Sequence, residues 1–400
     1  MLIKKMLHRL ACWNFEEAIK TVNNLIINGF EAEALLGQVI IASRLHDEEA
    51  LLRIKKENDL FLLHKNLRYW MELIFALYRT LDINNAADEL ERIVDSKITK
   101  NDADDYLWRK IKSLWKFSRI TRDKILYYTA NSFGTTWVPF LEGKKIPIIK
   151  ASIQGLPEEY FILDTGAGTS VLTKRYCDRW EIPYLRGYPS IALDSAGREL
   201  ITYPVLINNI IVGNCQINNV TAQVIDLPPN FRIGGILSPQ DTFRNFTFEL
   251  DFRQKRIVLH EDKIVLSKER EYFKEKCYWY HGKILMRATV DNKNGMFFFD
   301  TGAGGEIISP DFLKRLGKEI NKGPTWKSVA AGGEVDIAGS IKGNIIVGKC
   351  PPQNNIFYVK KIPSENDILA PAQVSGYIGV TWMDGKQIIF FPGGREMVIG

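Results

Sequence analysis

The chain has 400 residues, 46% of them hydrophobic and 25% charged, with a formal net charge of +6. That length suggests two or three domains, and the composition is ordinary for chains that bury sizeable cores, which excludes a fibrous or disordered protein. Lys and Arg are interleaved with Asp and Glu throughout, so there is no basic arm of the kind that binds nucleic acid.

Five cysteines, an odd count without a Cys-x-x-Cys pair, argue against a disulfide framework and a structural zinc site. The five histidines lack ligand spacing, so neither a metal nor a cofactor is expected. No apolar run approaches the roughly 18–20 residues that span a bilayer. Residues 1–10 read as the first turns of a helix, because His8 and Arg9 interrupt any signal-like apolar stretch. If Met1 is the true start, the default compartment is the cytoplasm; a presequence ahead of it would make the protein secreted or periplasmic.

Residues 1–128 carry helical periodicity. Apolar residues recur three and four apart in Phe15, Ala18, Ile19, Val22 and Leu25, and again in Tyr69, Leu73, Ile74, Leu77 and Tyr78. The pattern predicts helices near 3–10, 14–28, 31–43, 47–57, 60–81, 84–96 and 102–127. Residues 14–19 resemble the second helix of a tetratricopeptide repeat. Residues 83–87 echo them 68 residues on, which is two 34-residue periods, while the intervening copy is out of phase by two. An irregular, tetratricopeptide-like array of helical hairpins and a plain helical bundle both fit.

After Tyr128 the texture changes to frequent Gly and Pro and to strand-like runs at 137–140, 146–153, 160–163, 222–225, 246–252 and 256–260. Residues 129–136 read as a linker. Two β-rich halves follow, 137–266 and 275–400, joined by a charged segment at 268–276. The second half repeats the first. Asn-Ile-Ile-Val-Gly at 209–213 returns at 344–348, each followed two residues later by a cysteine, Cys215 and Cys350. Strand-like runs and Gly-bearing segments before and after follow in the same order, which points to duplication of a whole unit.

The repeat centres on a shared phrase. Residues 161–168 read Phe-Ile-Leu-Asp-Thr-Gly-Ala-Gly and residues 297–304 read Phe-Phe-Phe-Asp-Thr-Gly-Ala-Gly, placing Asp164 and Asp300 136 positions apart. A lone Asp-Thr-Gly means little, since roughly one chain in ten of this length carries one by chance. Here each copy follows an apolar strand, enters a Gly-rich turn and precedes a helix-like pattern, 170–179 and 310–320. Gly166 and Gly302 permit backbone conformations closed to other residues and let the turns approach. Thr165 and Thr301 supply hydroxyls able to bond across to the partner turn. Ala167 and Ala303 complete the two turns.

With these residues in place, the pair of turns resembles the retropepsin-like aspartic proteases of the pepsin/retropepsin clan, over roughly 135–400. The resemblance implies a multidomain α and β chain: a helical hairpin array followed by an all-β, pseudo-twofold double-barrel acid-protease fold. It also implies an aspartic endopeptidase. Ala167, Ala303 and the half length favour the retropepsin side. Gly168 and Gly304 stand where retroviral members carry an Asp that grips substrate, and Ser238 replaces an expected Gly. Divergence after the phrase, Thr169 and Ser170 against Gly305 and Glu306, predicts a cleft with unlike sides.

Two carboxylates about 3 Å apart cannot both ionise, so such a pair shares a proton, as is well known for aspartic proteases. The ionised member then activates a water and the protonated member serves the oxyanion. Family position places flaps at Ser195, Ala196 and Gly197 and at Ala331, Gly332 and Gly333, which also read as ordinary hairpin tips. The expected partner is a peptide or protein substrate that the helical region recruits or gates, with a further protein partner possible there. The chain is expected to be a monomer, its halves forming an intramolecular pseudo-dimer. The alternative is a catalytically inactive peptide- or protein-binding scaffold in which the aspartates only cap their turns.

Overall fold

The computed structural model describes residues 1–96, 105–229, 231–262, 264–266, 270–321, 326–363, 369 and 371–400. Among these, no helix is long and apolar enough to cross a membrane. The start of the helix expected from 102, and the start of the junction at 268, lie outside the described residues.

The first third is helical: Leu2–Ala11, Phe15–Ile27, Glu31–Arg44, Glu48–Glu57, Ile83–Asp95 and Asp105–Thr121 are its longer uninterrupted helices. Asn14, Asp47 and Asp82 each present a side-chain oxygen to a free N–H of the following first turn, which fixes where those helices begin. Two expectations are corrected. The helix expected over 60–81 breaks into Phe61–His64, Leu67–Ala76 and a π-helical turn at Leu77–Leu81. Asn66 causes the break: it is extended (φ −130°, ψ 116°), and its side chain accepts from the N–H groups of Arg68 and Tyr69. The apolar period runs straight across it, so the pattern alone gives no warning. The last helix stops at Thr121 rather than 127, because Asp123 turns left-handed (φ 64°) and sends Tyr127 into the core.

The rest is β-rich, and two of its sheets treat their Asp-Thr-Gly turns alike. Glu159–Leu163 leads into Asp164 and pairs in parallel with Gly235–Leu237. Lys293–Phe299 leads into Asp300 and pairs in parallel with Gly376–Ile378. The strands leaving the turns, Ser170–Thr173 and Glu306–Ile308, run antiparallel to those same partners and parallel to Cys215–Ile225 and Gln353–Val359 respectively. Each turn is therefore gripped by strands on both sides. The recurrent Ile-Ile-Val-Gly phrase makes a turn with a left-handed glycine at both sites, Gly213 (φ 58°) and Gly348 (φ 55°).

A third sheet has six strands and takes them from both halves. Thr247–Asp251 pairs with Gln387–Phe390, and Phe248 stacks on Phe390 with ring centres 4.6 Å apart. Phe273–Lys276, in the charged junction, forms its edge against Glu396–Ile399. The segment expected as a linker is held at both ends: Tyr128–Thr129 pairs with Cys215–Ile225, and Thr135–Pro139 with Arg256–His260. The helix-like pattern at 170–179 is half strand. Ser170–Thr173 is buried on every residue, and a helix forms only over Lys174–Arg179, capped by the Thr173 hydroxyl. The counterpart at 310–320 is a helix over Pro310–Leu316, ended by left-handed Gly317.

The helices are docked against the sheets. Trp13 sits edge-on to Tyr278 and Tyr280, and its indole N–H donates to the Gln373 carbonyl (3.2 Å). His46 stacks on Trp279 at 4.1 Å, beside an Arg395–Asp47 ion pair. One continuous apolar core runs from Met6 and Leu36 through Phe161 to Phe297 and Trp382. Cys215 and Cys350 belong to that core, and burial pushes both thiols up to about 12.

Candidate active site

The two turns meet. Thr165 N–H donates to the Thr301 hydroxyl and Thr301 N–H to the Thr165 hydroxyl, both at 3.0 Å. Each hydroxyl then donates across the junction, Thr165 to the Phe299 carbonyl (2.6 Å) and Thr301 to the Leu163 carbonyl (2.7 Å). Both threonines are fully buried, so these four bonds form without competition from water. Gly166 and Gly302 are needed for a reason different from backbone freedom, since neither has a left-handed φ. A Cβ on Gly166 would lie 2.5 Å from Asp300 Cγ, and one on Gly302 would lie 2.6 Å from Asp164 Cγ. Each carboxyl thus rests on the bare backbone of the opposite turn.

Asp164 and Asp300 are half-buried, and a side-chain hydrogen bond joins their carboxyls. Asp164 Oδ1 accepts from Gly166 N–H (2.8 Å); Asp300 Oδ1 accepts from Gly302 (2.8 Å) and Ala303 (3.1 Å). Burial raises both carboxyls above the usual range. The rise at Asp164 is opposed by its hydrogen bond with Asp300, the Gly166 N–H and the Lys283 charge. Asp300 is pushed well above, because the Asp164 charge and hydrogen bond add to burial. The pair therefore titrates as a unit, and its second proton is held well above the usual carboxylate range. One ionised and one protonated carboxyl, side by side, can take a proton from one group and give a proton to another.

Behind the first turn, Gln240 directs its amide N–H₂ toward the carbonyls of Thr165 (3.0 Å), Ala167 (2.9 Å) and Gly282 (3.1 Å). Ser238, standing where a Gly was expected, donates its hydroxyl to the Ala167 carbonyl (2.9 Å). The second turn is braced differently. Glu306 is fully buried, and one of its oxygens accepts from the Trp382 backbone N–H (2.7 Å); burial raises its carboxyl, against the opposing pull of the neighbouring Asn355 amide. Gly168 lies under the His281 carbonyl, which leaves no room for a side chain, whereas Gly304 faces open space with Lys145 the nearest group. The two sides of the site differ at these positions.

Both flap candidates are turns of hairpins, Ser190–Leu193 with Glu199–Val212 and Trp326–Ala330 with Gly333–Ile337. Asp194 organises the first turn by accepting from Ala196 (2.8 Å) and Arg198 (2.9 Å) N–H groups. Sequence reasoning missed that the two tips are clasped. The Arg198 guanidinium pairs with Asp194 (2.8 Å) and donates to the Gly333 (3.0 Å) and Glu334 (3.1 Å) carbonyls, while Asp194 accepts from Gly332 N–H (3.1 Å). Burial alone would raise Asp194, but the Arg198 and Ala196 N–H groups and the guanidinium hold it below the usual range. Buried Lys360 donates to the Ser195 hydroxyl (2.9 Å), and burial lowers its ammonium. No local pattern marks the clasp, because the Gly333 and Glu334 carbonyls that Arg198 reaches, and the Ser195 hydroxyl that Lys360 reaches, are more than 130 residues away from them.

A cavity of about 1040 Å³ joins these parts. Asp164 and Asp300 border it, as do Ser195 and Ala331 from the flap candidates and Lys360. Phe75, Tyr78 and Arg79 of the helical region also border it. That volume accommodates several residues of an extended peptide.

Comparison with known proteins finds similarity at the level of a family model and of solved structures. The family model described as aspartyl protease matches residues 149–239, a stretch that contains Asp164 and its turn, the first flap candidate and Ser238. Among solved structures, the chain is similar to the aspartic proteinase from Irpex lacteus, at 9% identity and a TM-score of 0.41, over 67% of this chain and 97% of that one. No curated protein matches the sequence.

Proposed function

We propose that the chain is an aspartic endopeptidase of pseudo-twofold, double-barrel construction, its two halves each supplying one member of an Asp164/Asp300 dyad. The observation that carries this reading is the hydrogen bond between the two carboxyls, each seated on the glycine of the opposite turn. Support also comes from the aspartyl protease match across the first turn. The ionised member of the pair takes a proton from a water as that water's oxygen bonds to the scissile carbonyl carbon. The protonated member donates its proton to the developing oxyanion, and collapse breaks the C–N bond with a proton passing to the amine. The loops at Ser195–Gly197 and Ala331–Gly333 act as flaps over the bound peptide, and the tetratricopeptide-like helices gate the cleft from the side of Phe75 and Arg79.

The test is cleavage of an unfolded, alkylated protein followed by mass spectrometry in ¹⁸O-water. Each new carboxyl terminus is expected to carry label. Asp164→Asn and Asp300→Asn should each lose at least about a thousandfold of the rate while keeping the parent's melting temperature or exceeding it. If both variants cleave as fast as the parent, the dyad assignment is wrong.

A further inference from the structure

The helical region places the guanidinium of Arg79 at the edge of the cleft. Arg79 lies on the π-helical turn Leu77–Leu81, a backbone form rare enough that its occurrences cluster at functional sites. Its guanidinium borders the cavity shared with Asp164 and Asp300, and its Nη1 lies 3.7 Å from where a Cβ on Gly168 would sit. Gly168 is four positions from Asp164 in the same turn. Among the described residues, Arg79 Nε is buried without an acceptor and the guanidinium has no carboxylate partner; it lies over the Phe75 ring at 5.9 Å. Asp241, which also borders the cavity, is engaged elsewhere: it accepts from the Tyr127 and Thr169 hydroxyls and faces the Arg244 charge.

A guanidinium stays charged at any working pH, and a buried N–H without an acceptor costs stability. Such a group is retained most economically where the cavity's occupant completes it. The planar fork matches a carboxylate, with two parallel N–H···O bonds. Resting on the endopeptidase reading above, we propose that Arg79 is a substrate-specificity residue that binds a carboxylate of the peptide on the Asp164 side of the cleft. The helical region thereby selects substrate from inside the cleft. The carboxylate belongs either to an Asp or Glu side chain beside the scissile bond or to a peptide's own C-terminus.

Binding is measured by fluorescence anisotropy with the Asp164→Asn protein, which holds peptide without cutting it. The probes are fluorescein-labelled decapeptide pools with randomised neighbours, carrying Glu or Gln at one fixed position, each with a free or an amidated C-terminus. One acid form is expected to bind about tenfold more tightly than its amide, or ~1.4 kcal/mol. Whether the fixed Glu or the free terminus carries the preference identifies the source of the carboxylate. Adding Arg79→Gln should abolish the preference, and Arg79→Lys should restore part of it. Equal binding of acid and amide, an unchanged preference in Arg79→Gln, or equal loss of both forms together with a lower melting temperature would each overturn the proposal. Acid preference that depends on Arg79, in a protein whose parent cuts nothing, would uphold this site and reject the peptidase.

Discussion

Replacing Thr165 with valine keeps the side chain's shape and deletes one hydroxyl. That hydroxyl donates to the Phe299 carbonyl at 2.6 Å and accepts from Thr301 N–H at 3.0 Å. Both partners are buried where water cannot replace the lost bond. Each orphaned group costs roughly 1–3 kcal/mol, and the added methyl returns about 0.8 kcal/mol, so the net loss is about 1–5 kcal/mol. For the roughly 265 residues of the β-rich part, unfolding entropy of about 2.1 cal/mol/K per residue converts this to a fall of about 2–9 °C in melting temperature. Scanning calorimetry reads it directly. Thr165→Ser keeps both bonds and should stay within about 2 °C of the parent. Thr301→Val should match Thr165→Val, because Thr301 makes the mirror pair of bonds. A valine variant melting within 1 °C of the parent, with the serine control also unmoved, would show that the crossed hydroxyls do not hold the turns together.

Three further outcomes follow from the same geometry. His46 is held neutral in the fold, its pKa lowered to about 3 by burial and by the charges of Arg244 and Arg395, against an ordinary value of 6.5. Protonation therefore favours the unfolded chain, so this contribution is complete above pH 6.5 and is lost as pH falls toward 3. His46→Gln should flatten the urea midpoint's decline across that window, where the slope from one group is at most about 1.4 kcal/mol per pH unit. Glu306 has the opposite sign. Burial raises its carboxyl, so the folded state resists ionisation, and stability falls as pH rises through 4.5. Glu306→Gln should raise the melting temperature at pH 7 and leave it nearly unchanged at pH 4; equal effects at both would count against a buried acid. Arg198→Ala removes the clasp between the two hairpin tips, and hydrogen exchange over 190–200 and 326–337 should quicken by about tenfold, or ~1.4 kcal/mol. Faster exchange in only one hairpin would mean the tips are held independently.

The parts of this molecule written in local pattern were legible. Asp164 and Asp300 stand out because the chain repeats their turn, and the structure brings those turns into contact. Helix starts at Asn14, Asp47 and Asp82 carry their own capping signal. What escaped lies in longer-range relations. Asn66 breaks a helix whose apolar stripe is uninterrupted, so capping overrides periodicity there. Ser170–Thr173 mimics the spacing of a helix, but pairing on both edges makes it a strand. Gly166 and Gly302 read as sites of backbone freedom and prove to be sites of clearance for the facing carboxyl. Arg79 and Arg198 look like ordinary surface cations, and only the fold shows that one enters the cleft and the other crosses between halves.

The seat of Trp13 against Tyr278 and Tyr280 has a practical consequence. The boundary near residue 130 invites a shortened chain bearing only the β-rich halves. Such a protein would bare an aromatic ledge to water, lose the cover over Trp279 that His46 supplies, and leave one wall of its cavity missing. It would be sticky, and its cleft would open to solvent on the side where Arg79 now stands. Activity recovered from that fragment would describe a less selective molecule than the intact chain.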